Sequence, residues 1–229
     1  MVPLVLTSRS SLLASHGMVG CSTGYMSAHR GDWNALVEQA ATTAPAAVEL
    51  SALSEDELPG LLDFLRRTPR TPFRFVSVHG PSKGRELPER LLVDQLGQLP
   101  LWVSAIVLHP DVMIDLSAYR PLGRRLVIEN MDARKDGGQT ADDLGRYFDA
   151  LPDARLCFDI AHAAAVDETL DMGREILTRF AGRLSHVHVS SLDTASHHIP
   201  LTDEDEERFA PLLRRCADVP WILEAPPRS

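Results

Sequence analysis

Histidines and acidic residues recur in this chain at the ends of short apolar runs, and these are the residue types that bind metal ions and move protons. "AAVEL" reaches Glu49, "FVSVHGP" carries His79, "IVLHPD" carries His109 and "LVIENMD" carries Glu129. Further on, "LCFDIAH" supplies Asp159 and His162, "SHVHVSS" supplies His186 and His188, and "WILEAP" supplies Glu224. A single histidine after an apolar run is ordinarily a hydrogen-bonded structural group. A succession of runs that all finish this way needs a common cause. If their ends converge, several carboxylates share one cavity, where burial and mutual repulsion are costly unless cations neutralise them. A divalent metal site is the economical explanation, and mixed nitrogen and oxygen donors suit zinc, manganese and cobalt alike.

The elements around these residues are of the kind that brings strand ends together. The candidate strands are Met18–Cys21, Ala46–Leu50, Phe73–Val78, Ala105–Leu108, Arg125–Ile128, Arg155–Phe158, Leu184–Val189 and Trp221–Leu223. Between them, stretches such as "DWNALVEQAATTA", "TADDLGRYFDALP" and "TDEDEERFAPLLRRCAD" place apolar residues at three- and four-residue steps, the helical period. Ser54, Thr140 and Thr202 each precede acidic residues and read as helix N-caps. The segment "MIDLSAYRPLG" is short and holds a proline, so it predicts a turn or two of helix at most.

Strand and helix alternating in this way predict a parallel sheet, and eight strands close it into a single (β/α)₈ TIM barrel. In such a barrel the carboxyl ends of all strands face one mouth. "GCSTGYM" has its glycines in the wrong places for the dinucleotide fingerprint of an open doubly wound sheet. The expected organisation is an N-terminal extension over residues 1–17 and a barrel over 18–229. The sequence ends five residues after Glu224 with no eighth helix, and the extension is expected to cover that gap.

Composition narrows the function classes. A chain of 229 residues that is 44% hydrophobic and 24% charged can bury one sizeable core. The net charge of −9 argues against a surface-wide nucleic-acid groove. No apolar run is long enough to span a membrane, and the first residues lack the pattern of a signal peptide. Cys21, Cys157 and Cys216 show no paired spacing, so reduced thiols and a cytoplasmic setting are expected. Cys157 alternates with Asp159 and should point into the barrel as packing, and His186 reads as a core histidine.

The ordered set "VHGP", "VLHP", "IEN", "FDIAHA", "HVHVS" and "ILEAP" resembles the xylose isomerase-like barrel superfamily, over roughly residues 18 to 226. That group holds sugar isomerases and epimerases together with the endonuclease IV group (AP endonuclease family 2). The resemblance implies a shared metal site of Glu129, Asp159, His188 and Glu224. For the endonuclease-like members it adds His79 and His109, then His162, and an Asp-x-His in the loop after the seventh strand. Here "ASHHIPL" supplies His197 and His198, but Ala195 or Ser196 stands where the aspartate belongs, with Asp193 nearby.

Two reaction classes can use these residues. In the first, an isomerase or epimerase, Zn²⁺, Mn²⁺, Co²⁺ or Mg²⁺ chelates a keto-sugar or related polyol-derived ketone and stabilises an enediolate. Glu129 and Glu224 then take and return the proton. His162 and His198 bind substrate hydroxyls, while Glu49 either touches substrate or orients a neighbouring ligand. In the second, a multinuclear zinc phosphodiesterase, His79 and His109 complete a site bridged by Glu129, and nucleic acid becomes a possible partner. His79 and His109 end adjacent strands, so their rings should lie about one strand spacing, ~5 Å, apart. One or two metals per chain are expected, the third position being a ligand short. A non-catalytic metal-binding barrel is the remaining alternative. The sequence sets no oligomeric state and offers no membrane contact.

Overall fold

The computed structural model describes residues 11–83 and 85–228. The strands are β1 (Val19–Ser22), β2 (Ala47–Ser51), β3 (Phe75–His79), β4 (Ala105–Leu108), β5 (Leu126–Glu129), β6 (Arg155–Asp159), β7 (Leu184–Val189) and β10 (Trp221–Leu223). They form a closed parallel barrel in the order β1-β10-β7-β6-β5-β4-β3-β2. A short antiparallel hairpin, β8 (Ser191–Leu192) with β9 (His198–Ile199), interrupts the connection that follows β7. The barrel fold expected from the alternating pattern is thus the observed one, with strand bounds displaced by no more than two residues.

Around the barrel run α2 (Trp33–Thr43), α3 (Leu58–Arg67), α4 (Glu89–Gly97), α5 (Ala141–Ala150), α6 (Ile160–Val166), α7 (Asp171–Arg179) and α8 (Asp203–Leu213). Thr140 caps α5 in a reciprocal box with Asp143, and the Thr202 side chain caps α8 by accepting from the Asp205 amide. Ser54 does not cap α3. That helix starts at Leu58, and Glu57 instead accepts from the Leu53 amide and pairs with Arg30. The proline-containing stretch forms 3₁₀ turns over Leu116–Arg125, broken at Gly123, whose φ of 54° few other residues adopt.

Ahead of β1, α1 (Leu12–Ser15) lays Leu12 and Leu13 against the apolar core. The Ser11 hydroxyl and the Leu12 amide both donate to Glu206 of α8, and the His16 ring stacks on Trp221 at 4.0 Å. The rest of the expected extension, residues 1–10, lies outside the described residues. Deep in the barrel, Ala105, Val107, Val127 and Cys157 make a small apolar layer with Phe75. Polar side chains gather above it, at the end where the strands finish. Cys157 is therefore packed as expected, and all three cysteines are free and buried. No described helix is long and apolar enough to cross a membrane.

Candidate metal centre

The last residue of β5 organises the mouth. Glu129 Oε2 lies 3.4 Å from both His79 Nε2 and His109 Nε2, which are 3.1 Å from each other. The two rings, on neighbouring strand ends, have centroids 4.9 Å apart, one strand spacing. Glu129 Oε1 turns the other way, 3.3 Å from His188 Nδ1 and 3.4 Å from His162 Nδ1. His188 Nδ1 is also 3.3 Å from Glu224 Oε1, which comes from just beyond β10.

Three groups of donor atoms follow, each with members within 4.8 Å of one another: His79, His109 and Glu129; Glu129, Asp159, His188 and Glu224; and Asp159, His162 and His198. Glu129 belongs to the first two and Asp159 to the last two. Shared carboxylates of this kind can bridge neighbouring ions. A further group of Cys157, His186 and His188 lies deeper in the barrel.

Local structure explains why the donors face one another. Asp159 ends β6 and also caps α6, accepting from the His162 amide at 2.7 Å. The tight passage from strand to helix returns His162 to the mouth one turn later. Asn130 staples β5 to β6: its Oδ1 accepts from the Asp159 amide at 2.7 Å and its Nδ2 donates to the Asp159 carbonyl at 2.8 Å. His79 Nδ1 donates to the Gly80 carbonyl at 2.9 Å, and His162 Nδ1 to the Asn130 carbonyl at 3.0 Å. A carbonyl only accepts, so in both rings Nδ1 carries the proton and Nε2 keeps a lone pair for a metal.

The electrostatics fit a cation. Glu129, Asp159, His188 and Glu224 are all buried or nearly so, and Glu129 Oε2, Asp159 Oδ2 and Glu224 Oε2 have no hydrogen-bond partner among the described residues. Unpaired buried carboxylate oxygens are costly, and a divalent ion satisfies them together. Burial works to raise Glu129, but His188 and His109 outweigh it and hold the carboxyl well below its ordinary range. Burial pushes Glu224 well above that range, and the neighbouring Asp159 and Glu129 add to the rise against the pull of His188. His188 is opposed by burial yet raised well above the ordinary imidazole value by the negative groups around it, including Glu49, Glu224 and Glu129.

These directions give metal-stripped protein a bounded stability window. The depressed Glu129 contributes stability above the ordinary carboxylate range that is lost as pH falls. The raised Glu224 and His188 contribute stability that is lost as pH rises through their elevated values. An ion that takes the place of those protons should extend the alkaline limb. Melting temperature measured against pH, with chelator and with metal, is expected to diverge mainly on the alkaline side.

Glu49 is the candidate whose position differs most from expectation. β2 continues to Ser51, so Glu49 sits below the rim rather than at the strand end and is 0% exposed. It faces His188 Nε2, and Ser51 takes the rim position. A substrate contact by Glu49 is not what this placement provides. Asp193 does not reach the site either. Its Oδ1 accepts from the Ala195 and His197 amides at 2.8 Å each and holds a turn in which Ser196 has φ 59°. That turn sends His197 outward, its side chain 74% exposed, and His198 inward, where Nδ1 meets Ser190 Oγ at 2.7 Å and Glu224 Oε2 at 3.2 Å. His186 is buried, as a core histidine should be.

Sequence reasoning missed Asn130, Asp132 and Asp111. Asp132 grips Arg134 and lies 3.8 Å from His162 Nε2, while Asp111 pairs with Lys135 beside His109. The runs "IENMD" and "LHPD" held these residues just past the predicted ligands, which was the available signal.

Above the donors opens a cavity of about 400 Å³. It is lined by His79, His109, Glu129, His162, His198 and Glu224, together with Ser22, Ser51, Ser82, Tyr25 and Lys83. Residues 116–228 match the family model of the xylose isomerase-like TIM barrel. The resemblance read from the motifs is borne out. The matched span contains Glu129, Asp159, His188 and Glu224, while His79 and His109 precede it.

Among solved structures the chain is similar to the probable 3-DHS dehydratase AsbF from Bacillus anthracis, at 11% identity and TM-score 0.58, covering 90% of this chain and 92% of that one. It is similar to AP endonuclease, family 2 from Brucella melitensis at 17% identity and TM-score 0.58, covering 93% and 94%. A sugar phosphate isomerase/epimerase from Parabacteroides distasonis gives 13% identity and TM-score 0.51, covering 97% and 90%. At these identities the likeness is one of fold. No curated protein matches the chain.

Proposed function

We propose that this barrel is a divalent-metal-dependent isomerase or epimerase acting on a small polyhydroxylated ketone. The observation that carries the reading is a pair of carboxylates, Glu129 and Glu224, each 3.3 Å from His188 Nδ1 and both in the donor group that would hold the ion. Glu129, held ionised, is suited to take a proton from carbon, and Glu224, whose own proton leaves when the metal binds, to return that substrate proton. A divalent ion held by Glu129, Asp159, His188 and Glu224 supplies Lewis acidity to the carbonyl and hydroxyl oxygens of the substrate. His162 and His198 stand beside those ligands to bind substrate hydroxyls, and Ser22, Ser51 and Ser82 also line the cavity. The cavity suits a sugar-sized molecule, and its opening to solvent favours catalysis over a scaffold role.

A second reading has its own observation. The equal 3.4 Å approach of His79 and His109 to Glu129 Oε2 makes a second donor group that proton transfer does not require. Two ions bridged by Glu129 would suit attack of water on a phosphoester. Deuterium exchange separates the readings. Metal-loaded protein in D₂O, incubated with a panel of ketoses and followed by NMR, is expected to place deuterium on the carbon next to a carbonyl. Hydrolysis of bis-p-nitrophenyl phosphate without exchange into any ketose would overturn the isomerase reading in favour of the phosphodiesterase.

A further inference from the structure

Beneath the metal centre, the buried carboxylate of Glu49 faces His188 on the side away from Glu129 and Glu224. His188 Nε2 lies 3.2 Å from each of its oxygens. The Ser77 hydroxyl, on the residue paired with Glu49 across the β2–β3 ladder, donates to Glu49 Oε2 at 2.9 Å. His186 Nε2 stands 3.5 Å from the same oxygen. β2 and β7 are not neighbours in the barrel, so Glu49 spans the interior to reach the histidine. A fully buried carboxylate in the barrel interior contributes less to packing than an apolar side chain would. Its retention asks for another reason.

We infer that Glu49 is a positioning residue for the metal centre, accepting from His188 Nε2–H so that the Nδ1 lone pair points at the ion. The inference rests on the metal-centre reading above. Nδ1 faces Glu129 and Glu224 at 3.3 Å, and an imidazole that ligates through Nδ1 must carry its proton on Nε2. Glu49 selects that tautomer, fixes the plane of the ring and makes the ring a stronger donor. Ser77 in turn fixes the carboxylate. Glu49 does not line the cavity, so it cannot act by touching substrate.

The test is a zinc titration of metal-stripped wild type and Glu49→Gln against a competing chromophoric chelator, with melting curves of the stripped proteins. Glutamine keeps the shape but gives up the charge. Zinc affinity is expected to fall roughly 10- to 100-fold, the usual consequence of losing such a partner, with the metal-free melting temperature unchanged or higher. Ser77→Ala is expected to give a smaller loss in the same direction and serves if Glu49→Gln does not fold. In ¹⁵N-histidine NMR of the zinc-bound protein, His188 should be ligated through Nδ1 and protonated at Nε2 in wild type, and lose that preference in Glu49→Gln. Wild-type zinc affinity in folded Glu49→Gln, with a mixed His188 tautomer already in wild type, overturns the inference and leaves the metal centre standing. Failure of wild type itself to bind zinc overturns the centre and this inference with it.

Discussion

Glu129→Gln is expected to remove metal binding at the His79–His109 position, weaken it at the Asp159–His188–Glu224 position and abolish turnover. Each Glu129 oxygen serves a different donor group, one toward His79 and His109 at 3.4 Å and the other toward His188 at 3.3 Å. An amide presents one oxygen and one N–H₂, so one group meets a donor where it held an acceptor. The same residue is the proposed base, and loss of positioned general base catalysis alone costs on the order of 10²- to 10⁴-fold. The backbone should be little affected, because the Asn130 staple between β5 and β6 does not use the Glu129 side chain. Elemental analysis together with exchange kinetics checks this, and folded variant protein with wild-type metal content would refute the bridging role.

Glu224→Gln is expected to separate chemistry from binding. Glu224 lies at the edge of the cluster, its side chain 13% exposed, and it belongs to only one donor group. Glutamine retains an oxygen for the metal but has no carboxylate to take up and return a substrate proton. Turnover should fall by on the order of 10²- to 10⁴-fold, with metal still bound at reduced affinity and the circular dichroism unchanged. A metal-replete variant that exchanges substrate protons at the wild-type rate would remove Glu224 from the acid role.

Much of this centre was legible because a parallel barrel makes strand ends converge, so a polar residue after each apolar run has only one place to go. His79, His109, Glu129, Asp159 and His188 are all the last residue of a strand, the one immediately after it, or one within its final two positions. Glu49 escaped the rule because a strand end is set by ladder pairing. β2 pairs with β3 as far as Ser51 and His79, which lowers Glu49 by two residues. Asp193 was misleading for a related reason: its carboxylate satisfies amides of its own turn, a local bond that sequence distance to the site does not reveal. Asn130 was passed over because it holds backbone rather than ligand, and such a role shows only when two strands are seen side by side.

The central claim is that Glu129, Asp159, His188 and Glu224 form a divalent metal site, with His79 and His109 completing a second. Calorimetric titration of metal-stripped protein with zinc, repeated on a His79→Ala/His109→Ala double variant, tests it most directly. Wild type is expected to show one tight binding event and one weaker, to release protons because Glu224 and His188 must shed theirs, and to gain melting temperature with metal. The double variant should keep the tight event and lose the weaker one. Wild-type protein that takes up no zinc and melts identically with and without it would contradict the account.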